Sequence, residues 1–269
     1  MKIRYISQFF YVFIIFISCN QNDHLVRKHF VKYVKDKRGN YIHLSVGRRN
    51  LQDISFLQKM NSVEILSFDG KNLKKIDSIS YLTNLTYLNL GKLDFITVIP
   101  SLKNLNKLYH FSILDSRITD ITPIGHLVNL EELSFSSSEI TDISPLANCK
   151  KLKILGLQRC YKLSDITAVG ELENLEHLEI TYADALVDIR PIGKLKKLKY
   201  LELTSCNKLF NIDVLQNCDS LVELYLPHSE ISFKEIEFIK KMPKLKTVGT
   251  NLFSPLGKHI KKIRPDLVN

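Results

Sequence analysis

The cysteines and histidines are the residues of this chain most able to do chemistry, as metal ligands, nucleophiles or bases. The 269 residues include five cysteines and eight histidines. They form no C-x-x-C pair and no H-E-x-x-H sequence, which are spacings that zinc sites use. The motifs G-x-x-x-x-G-K-S/T, G-x-G-x-x-G and G-x-S-x-G, which bind phosphate or position a nucleophile, are also missing. We therefore expect no enzymatic activity, no metal and no cofactor.

One cysteine, Cys19, ends a segment with the layout of a secretory signal. A basic start at residues 2–4 is followed by an unbroken apolar run, Phe9 to Ile17, which is too short to span a bilayer. The end of this run resembles a bacterial lipoprotein signal, with Phe16 in place of the usual Leu or Val. The resemblance implies cleavage before Cys19, lipid attachment to its sulfur, and a place in the bacterial cell envelope, at the outer membrane or cell surface. An ordinary signal peptide or an uncleaved anchor is the alternative.

An internal repeat predicts the elements that position the remaining polar residues. Apolar residues make up 45% of the chain and charged residues 25%, so the chain can bury a core. A segment of the form L-x-x-L-x-L recurs every 22 to 24 residues, with starts at Tyr41, Val63, Leu85, Leu108, Leu130, Leu152, Leu175, Leu198 and Leu221, and a partial unit at Leu245. Such periodicity is typical of stacked repeats.

Two units show the pattern most clearly. Leu130-Glu-Glu-Leu-Ser-Phe is followed by Ile140-Thr-Asp-Ile-Ser-Pro, and Leu108-Tyr-His-Phe-Ser-Ile is followed by Ile118-Thr-Asp-Ile-Thr-Pro. These units resemble the leucine-rich repeat in the 22-residue bacterial form found in internalins. The resemblance implies a right-handed α/β solenoid, a curved rod or horseshoe with a parallel β-sheet on its concave face and short 3₁₀ or turn segments on its convex face. It also implies recognition as the general role.

Alternation along each strand predicts which side chains form the core. In the unit from Leu198, residues Leu201 and Leu203 point inward, and Tyr200 and Glu202 point outward. A single strand cannot bury its apolar side, so stacked units must build one continuous core.

The turns and strand ends carry weaker signals. Thr122 before Pro123 favours a hydroxyl cap on the first turn of a short helix. The position after each strand, often Asn in such repeats, holds residues such as Ser116, Cys160 and Cys206. We therefore expect a weak hydrogen-bonded ladder at that position.

The two ends of the chain are expected to close the solenoid. Phe30 to Val34 could pair with Tyr41 as a hairpin cap, and Phe233, Ile236 and Ile239 lie at helical spacing. The predicted organisation is a signal peptide at 1–18, a tether and cap at 19–40, nine repeats plus a terminal strand at 41–250, and a basic carboxyl-terminal tail at 251–269.

The other four cysteines are predicted to be buried thiols. Cys160 and Cys206 occupy equivalent positions two units apart, and Cys149 and Cys218 occupy equivalent positions three units apart. Two strand spacings of ~4.8 Å already exceed the ~7 Å between Cα atoms that a disulfide allows. We expect no disulfide.

Outward-facing residues of the sheet are the candidate binding site. The predicted partner-binding residues share an outward position on a strand, and they are Tyr87, His110, Glu132, His177, Glu179, Tyr200, Glu202, Glu223 and Tyr225. Aromatic residues carry much of the energy of protein interfaces, so this face suits a protein or peptide ligand. A sheet face that is merely solvated is the alternative.

Lysine clusters such as 150–153, 194–199 and 240–246 are predicted to follow one edge of the rod. With a net charge of +10, that edge could contact anionic lipid and make the protein an envelope scaffold without a discrete ligand. A solvated charged edge is the simpler interpretation. Because the signal exports the chain, we expect no nucleic acid partner. The chain is expected to be a monomer.

Overall fold

The computed structural model describes residues 32–45, 52–137, 139–227, 231–250 and 254–267, so Cys19 and the predicted signal lie outside the described residues. One sheet of 11 strands runs through them in sequence order. The strands are β1 Lys32–Lys35, β2 Tyr41–Ser45, β3 Ile65–Asp69, β4 Tyr87–Leu93, β5 His110–Ser116, β6 Glu132–Ser137, β7 Ile154–Gln158, β8 His177–Thr181, β9 Tyr200–Glu202, β10 Glu223–Tyr225 and β11 Thr247–Gly249.

Strands β2 to β11 pair in parallel, and equivalent residues of successive units are direct partners. Leu155 pairs with Leu178, which in turn pairs with Leu201. The repeat therefore stacks in register, which forms straight columns of side chains across the sheet. The predicted leucine-rich repeat solenoid is confirmed.

The inward columns form a single core. Leu133, Leu155, Leu178, Leu201 and Leu224 are all buried, and Leu178 and Leu201 have no exposed surface. Burial of each leucine stabilises the folded state by about 25 cal/mol for every Å² of apolar surface that is removed from water. Units inside the stack have such contacts on both sides, whereas the end units have them on one side.

Short 3₁₀ helices form the side opposite the sheet, as predicted. They are Ser55–Lys59, Asp77–Tyr81, Thr122–His126, Ser144–Asn148, Thr167–Glu171, Arg190–Lys194, Ile212–Asn217, Glu237–Lys241 and Pro265–Leu267. Each unit has only 22 to 24 residues for its strand and turns, which leaves no room for a long helix.

The predicted hydroxyl caps on these helices are wrong. Thr122 is the first residue of its helix, and the Oδ1 atom of Asp120 accepts the backbone N–H of Thr122 at 2.8 Å. Asp165 does the same for Thr167 at 2.7 Å. A carboxylate two residues upstream reaches this donor more readily than a hydroxyl on the residue itself.

Besides the backbone ladder of the sheet, a row of side-chain hydrogen bonds joins successive units in the turn before the strand. The Nδ2 atoms of Asn84, Asn129 and Asn174 each donate to a backbone carbonyl of the preceding unit at 2.7–2.8 Å. In the units between and after them, the Nζ atoms of Lys107, Lys151 and Lys197 donate to the Oδ1 atoms of those asparagines at 2.7 Å. Asn and Lys therefore alternate along this row.

Several residues near the carboxyl ends of strands have left-handed backbone conformations. They are Lys92, Asp115, Arg159, Tyr182 and Ser205, with φ between 52° and 62°. This conformation costs roughly 1–2 kcal/mol for a residue with a Cβ atom. The five residues occupy equivalent positions in their units, at the turn out of the strand.

Both ends of the described solenoid are capped. At the amino end, β1 pairs antiparallel with β2, which confirms a hairpin, with its first strand at 32–35; residues 30 and 31 of the predicted strand lie outside the described residues. Toward the carboxyl end, α1 (Phe233–Ile236) begins at a capping box formed by Ser232 and Glu235, which confirms a helix there.

The predicted basic tail is not simply a tail. It contains α2 (Pro255–Ile263), and Leu256, Ile260 and Leu267 are buried against the last units. The Ser254 side chain accepts the backbone N–H of Gly257.

Candidate ligand-binding face

The sheet face opposite the core holds all of the predicted partner-binding residues. They lie at the first and third residues of strands β4 to β10, and each is half-buried. Alternation along the strand causes this placement, because every second side chain must leave the core. The structure divides these residues between two separate clusters.

The amino-half cluster consists of Tyr87, His110 and Glu132, on strands β4, β5 and β6. The rings of Tyr87 and His110 stack with centroids 4.0 Å apart. The Nδ1 atom of His110 lies 2.8 Å from Oε2 of Glu132. This hydrogen bond holds the pKa of Glu132 below its ordinary value, and Lys153 adds to the effect.

The carboxyl-half patch consists of His177, Glu179, Tyr200, Glu202, Glu223 and Tyr225, on strands β8, β9 and β10. Its rings form a row, with His177 and Tyr200 stacked at 4.0 Å and Tyr200 and Tyr225 tilted at 5.4 Å. The ring of Tyr225 lies over Gly249, where a Cβ atom would stand 2.1 Å from the ring. Only glycine leaves space for this ring.

Neutral donors hold the three carboxylates of the patch. The hydroxyl groups of Tyr200 and Thr204 donate to the two oxygens of Glu202 at 2.7 and 2.8 Å. Gln158 donates to Glu179 at 2.7 Å. Because these donors carry no charge, they orient the carboxylates without cancelling their charge.

Burial and mutual repulsion change the titration of the patch. Burial, together with the nearby charge of Glu202, raises the pKa of Glu179 to about 7. Burial lowers the pKa of His177, which favours the neutral form of its ring. Burial and the hydrogen bond to Glu202 raise the pKa of the Tyr200 hydroxyl. The Nε2 atom of His177 is buried and has no hydrogen-bond partner among the described residues.

Strand β7 separates the two clusters. It contributes Ile154 and Gly156 at the two outward positions, so neither of these positions places a polar side chain between Glu132 and Glu179. Tyr87 and His177 are four strands apart, which corresponds to about 19 Å.

Gln158, Thr204 and Gly249 are the parts of the site that the predicted set missed. Gln158 and Thr204 lie in a third outward column, two residues further along the chain than the second. They donate to Glu179 and Glu202 and orient these carboxylates. Polar residues at that third position were the available signal for them. A glycine at an outward strand position was the signal for Gly249.

The predicted lysine edge is largely paired with acids. Lys153 lies 2.7 Å from Glu131, Lys199 lies 2.6 Å from Glu176, and Lys194 lies 3.3 Å from Glu171. All these side chains are substantially exposed, so each pair contributes little stability. The edge is an alternation of charges rather than a purely basic stripe.

Other chemistries find no support in the described part of the chain. Cys149, Cys160, Cys206 and Cys218 are buried free thiols, and burial raises the pKa of each. Among the described residues, no group of three or more His, Cys, Asp or Glu side chains is placed to hold a metal ion. No helix in the described ranges is long and apolar enough to cross a bilayer.

Comparisons with known proteins agree with this fold. A family model of leucine-rich repeats, in two copies, matches residues 128–171. No curated protein matches the chain. Internalin C2 of Listeria monocytogenes has a similar structure, with 22% identity and a TM-score of 0.56 over 77% of this chain and 79% of that chain.

Two further solved structures are similar. A leucine-rich repeat protein of Leptospira interrogans is 25% identical, with a TM-score of 0.63 over 77% of this chain and 54% of its own. A plant peptide hormone receptor, in complex with RGF2, is 21% identical, with a TM-score of 0.58 over 81% of this chain and 36% of its own. The chain therefore contains leucine-rich repeats and has the solenoid fold that internalins also have.

Proposed function

We propose that this protein is a non-enzymatic binding module of the bacterial cell envelope, held at the membrane by a lipid on Cys19. Its ligand is a protein or peptide rather than nucleic acid, and it binds as a monomer through the concave face of the sheet. The same fold serves a peptide hormone receptor, which supports this class of ligand.

The observation that carries the proposal is the ring row of the carboxyl-half patch. The ring of His177 stacks face to face on that of Tyr200, and the ring of Tyr225 lies tilted beside it, on the face that the core does not use. Fixed aromatic rings lose little conformational entropy on binding and are enriched among residues that dominate interfaces.

The alternative is an envelope scaffold that rests its basic edge on anionic lipid. The pairing of Lys153 with Glu131 and of Lys199 with Glu176 weakens this alternative, because the paired acids reduce the field of the edge.

Photo-crosslinking in the native envelope tests the proposed face. The photoreactive residue benzoylphenylalanine replaces Tyr225 on the concave face or, as a matched control, Tyr81, which is exposed in a 3₁₀ helix on the opposite side. We expect a discrete protein adduct from position 225 and none from position 81. An adduct from position 81 with none from position 225 would place the interface on the other side of the rod and overturn the proposal.

A further inference from the structure

We infer that the carboxyl-half patch binds guanidinium groups, so that the ligand is an arginine-containing segment of a protein or peptide. The inference rests on the proposed function and narrows it to one class of ligand. Three properties of the patch support it: the sign of the face, the partners of its carboxylates, and the shape of its ring row.

The two outward columns of the concave face contain no Lys or Arg, although the chain is strongly basic. The chain has 38 Lys and Arg residues and a net charge of +10. None of them lies at the two outward columns of strands β2 to β11. The same columns hold four carboxylates, of which Glu179, Glu202 and Glu223 lie within the patch. The patch is therefore an acidic area on a basic molecule, and it is complementary to a cationic ligand.

The carboxylates of the patch differ from those of the edge in their partners. On the edge, Glu131 and Glu176 lie within 2.7 Å of a lysine Nζ atom. In the patch, Glu202 accepts only from Tyr200 and Thr204, and no described Lys or Arg side chain forms an ion pair with it. Holding uncompensated charges close together is costly, and such arrangements are concentrated at functional sites.

The ring row favours arginine over lysine. A guanidinium group is planar, stacks on aromatic faces and donates two parallel hydrogen bonds to a carboxylate. Tyr200 and Tyr225 are only half-buried, so the exposed parts of their rings lie directly beside Glu202 and Glu223, to which their hydroxyl groups donate. The ring of His177, which stacks on Tyr200, has a buried Nε2 atom with no hydrogen-bond partner among the described residues.

Peptide binding to the full chain in a non-ionic detergent tests the inference. The probe is acetyl-Gly-Arg-Gly-Arg-Gly-amide, and the control peptide has citrulline, a neutral isostere, in place of each arginine. We expect the arginine peptide to bind at least about tenfold more tightly, with the lysine peptide between the two. Equal affinities for the arginine and citrulline peptides would overturn the inference.

Two variants of the same type locate the binding site on the face. Glu202→Gln should weaken binding of the arginine peptide about tenfold, because it removes a charge that only neutral groups contact. Glu131→Gln is the matched control, since it removes the same charge from the edge, where Glu131 pairs with Lys153. Equal losses for the two variants would show non-specific attraction and overturn the inference. Thermal melting of both variants checks that they fold.

The crosslinking experiment and the peptide-binding experiment can contradict the two proposals independently. A discrete adduct from position 225, together with no preference for arginine over citrulline, would keep the concave face as the interface and eliminate the guanidinium ligand. An arginine preference that Glu202→Gln does not reduce would place cation binding elsewhere and also eliminate it. Loss of the adduct and of the preference would remove both proposals.

Discussion

Glu179 is a carboxyl group whose charge changes near neutral pH, because burial and Glu202 both oppose its ionisation. The folded chain keeps its proton up to about pH 7, whereas the unfolded chain releases it near the ordinary value of 4.5. The protonated group thus favours the folded state at low pH, and this contribution is lost as the pH rises through 7.

The variant Glu179→Gln isolates this effect. Between pH 5 and pH 8, we expect the free energy of unfolding of the wild type to fall relative to that of the variant. Urea unfolding at several pH values measures the difference. Glu132→Gln is the control with the opposite sign, because the lowered pKa of Glu132 stabilises the fold at neutral pH and this contribution is lost on acidification. Parallel pH profiles for the wild type and Glu179→Gln would contradict the prediction.

The sequence predicted which residues share the concave face but not what each side chain touches. Alternation places Tyr200 and Glu202 on one side of a strand, two residues apart. It does not determine that the hydroxyl of Tyr200 turns back to Glu202, since side-chain rotamers depend on neighbouring strands. The hydrogen bond from Gln158 to Glu179 likewise requires the register of β7 against β8.

At the scale of elements, each strand and its core leucine carry the stability of a unit. Leu178 has no exposed surface and lies in a central strand with neighbours on both sides. Leu178→Ala should lower the free energy of unfolding by ~2–5 kcal/mol, because it removes buried atoms and leaves a cavity. Lys197→Ala, at an exposed position, is the control. Equal effects in urea unfolding would mean that the inward column is wrongly assigned.

The strand ends offer a stabilising change. Tyr182 is half exposed and has a φ of 56°, which disfavours a tyrosine but suits an asparagine. We expect Tyr182→Asn to raise the free energy of unfolding by about 0.5–1 kcal/mol. Tyr161→Asn is the matched control, since Tyr161 is also exposed but does not have a positive φ. A loss of stability at position 182 would show that its ring contributes more than its backbone costs.

The caps of the 3₁₀ helices show where sequence reasoning failed at this scale. A hydroxyl before proline and a carboxylate two residues earlier are both recognised capping signals, and they occur together in Ile118-Thr-Asp-Ile-Thr-Pro. The choice between them depends on the backbone angle at Ile121, with ψ of 12°, which the pattern does not reveal.

At the scale of the whole molecule, the repeat predicted the solenoid because every unit meets the same neighbours. The capping elements at the two ends were harder to predict, because each occurs only once and so leaves no periodic signal in the sequence. Helix α2 was missed for this reason, although Leu256 and Ile260 lie four residues apart among its lysines.

The attachment of the whole molecule to a membrane is a separate prediction. Cys19→Ala should leave the precursor unprocessed or release the chain, and it should abolish metabolic labelling with palmitate, because the acyl chains have no other acceptor in the signal. Cys160→Ala is the control, since Cys160 is a buried thiol. Equal labelling of the wild type and Cys19→Ala would contradict lipid anchoring.

The alternating Asn and Lys row in the turns determines how such a rod can lengthen. Asn84, Asn129 and Asn174 lie 45 residues apart, and a lysine separates each from the next. Gene duplication of a single unit would bring two asparagines or two lysines together at one joint, whereas duplication of two consecutive units preserves the hydrogen bonds of every joint. An engineered extension of the rod between residues 84 and 197 should therefore add repeats in pairs.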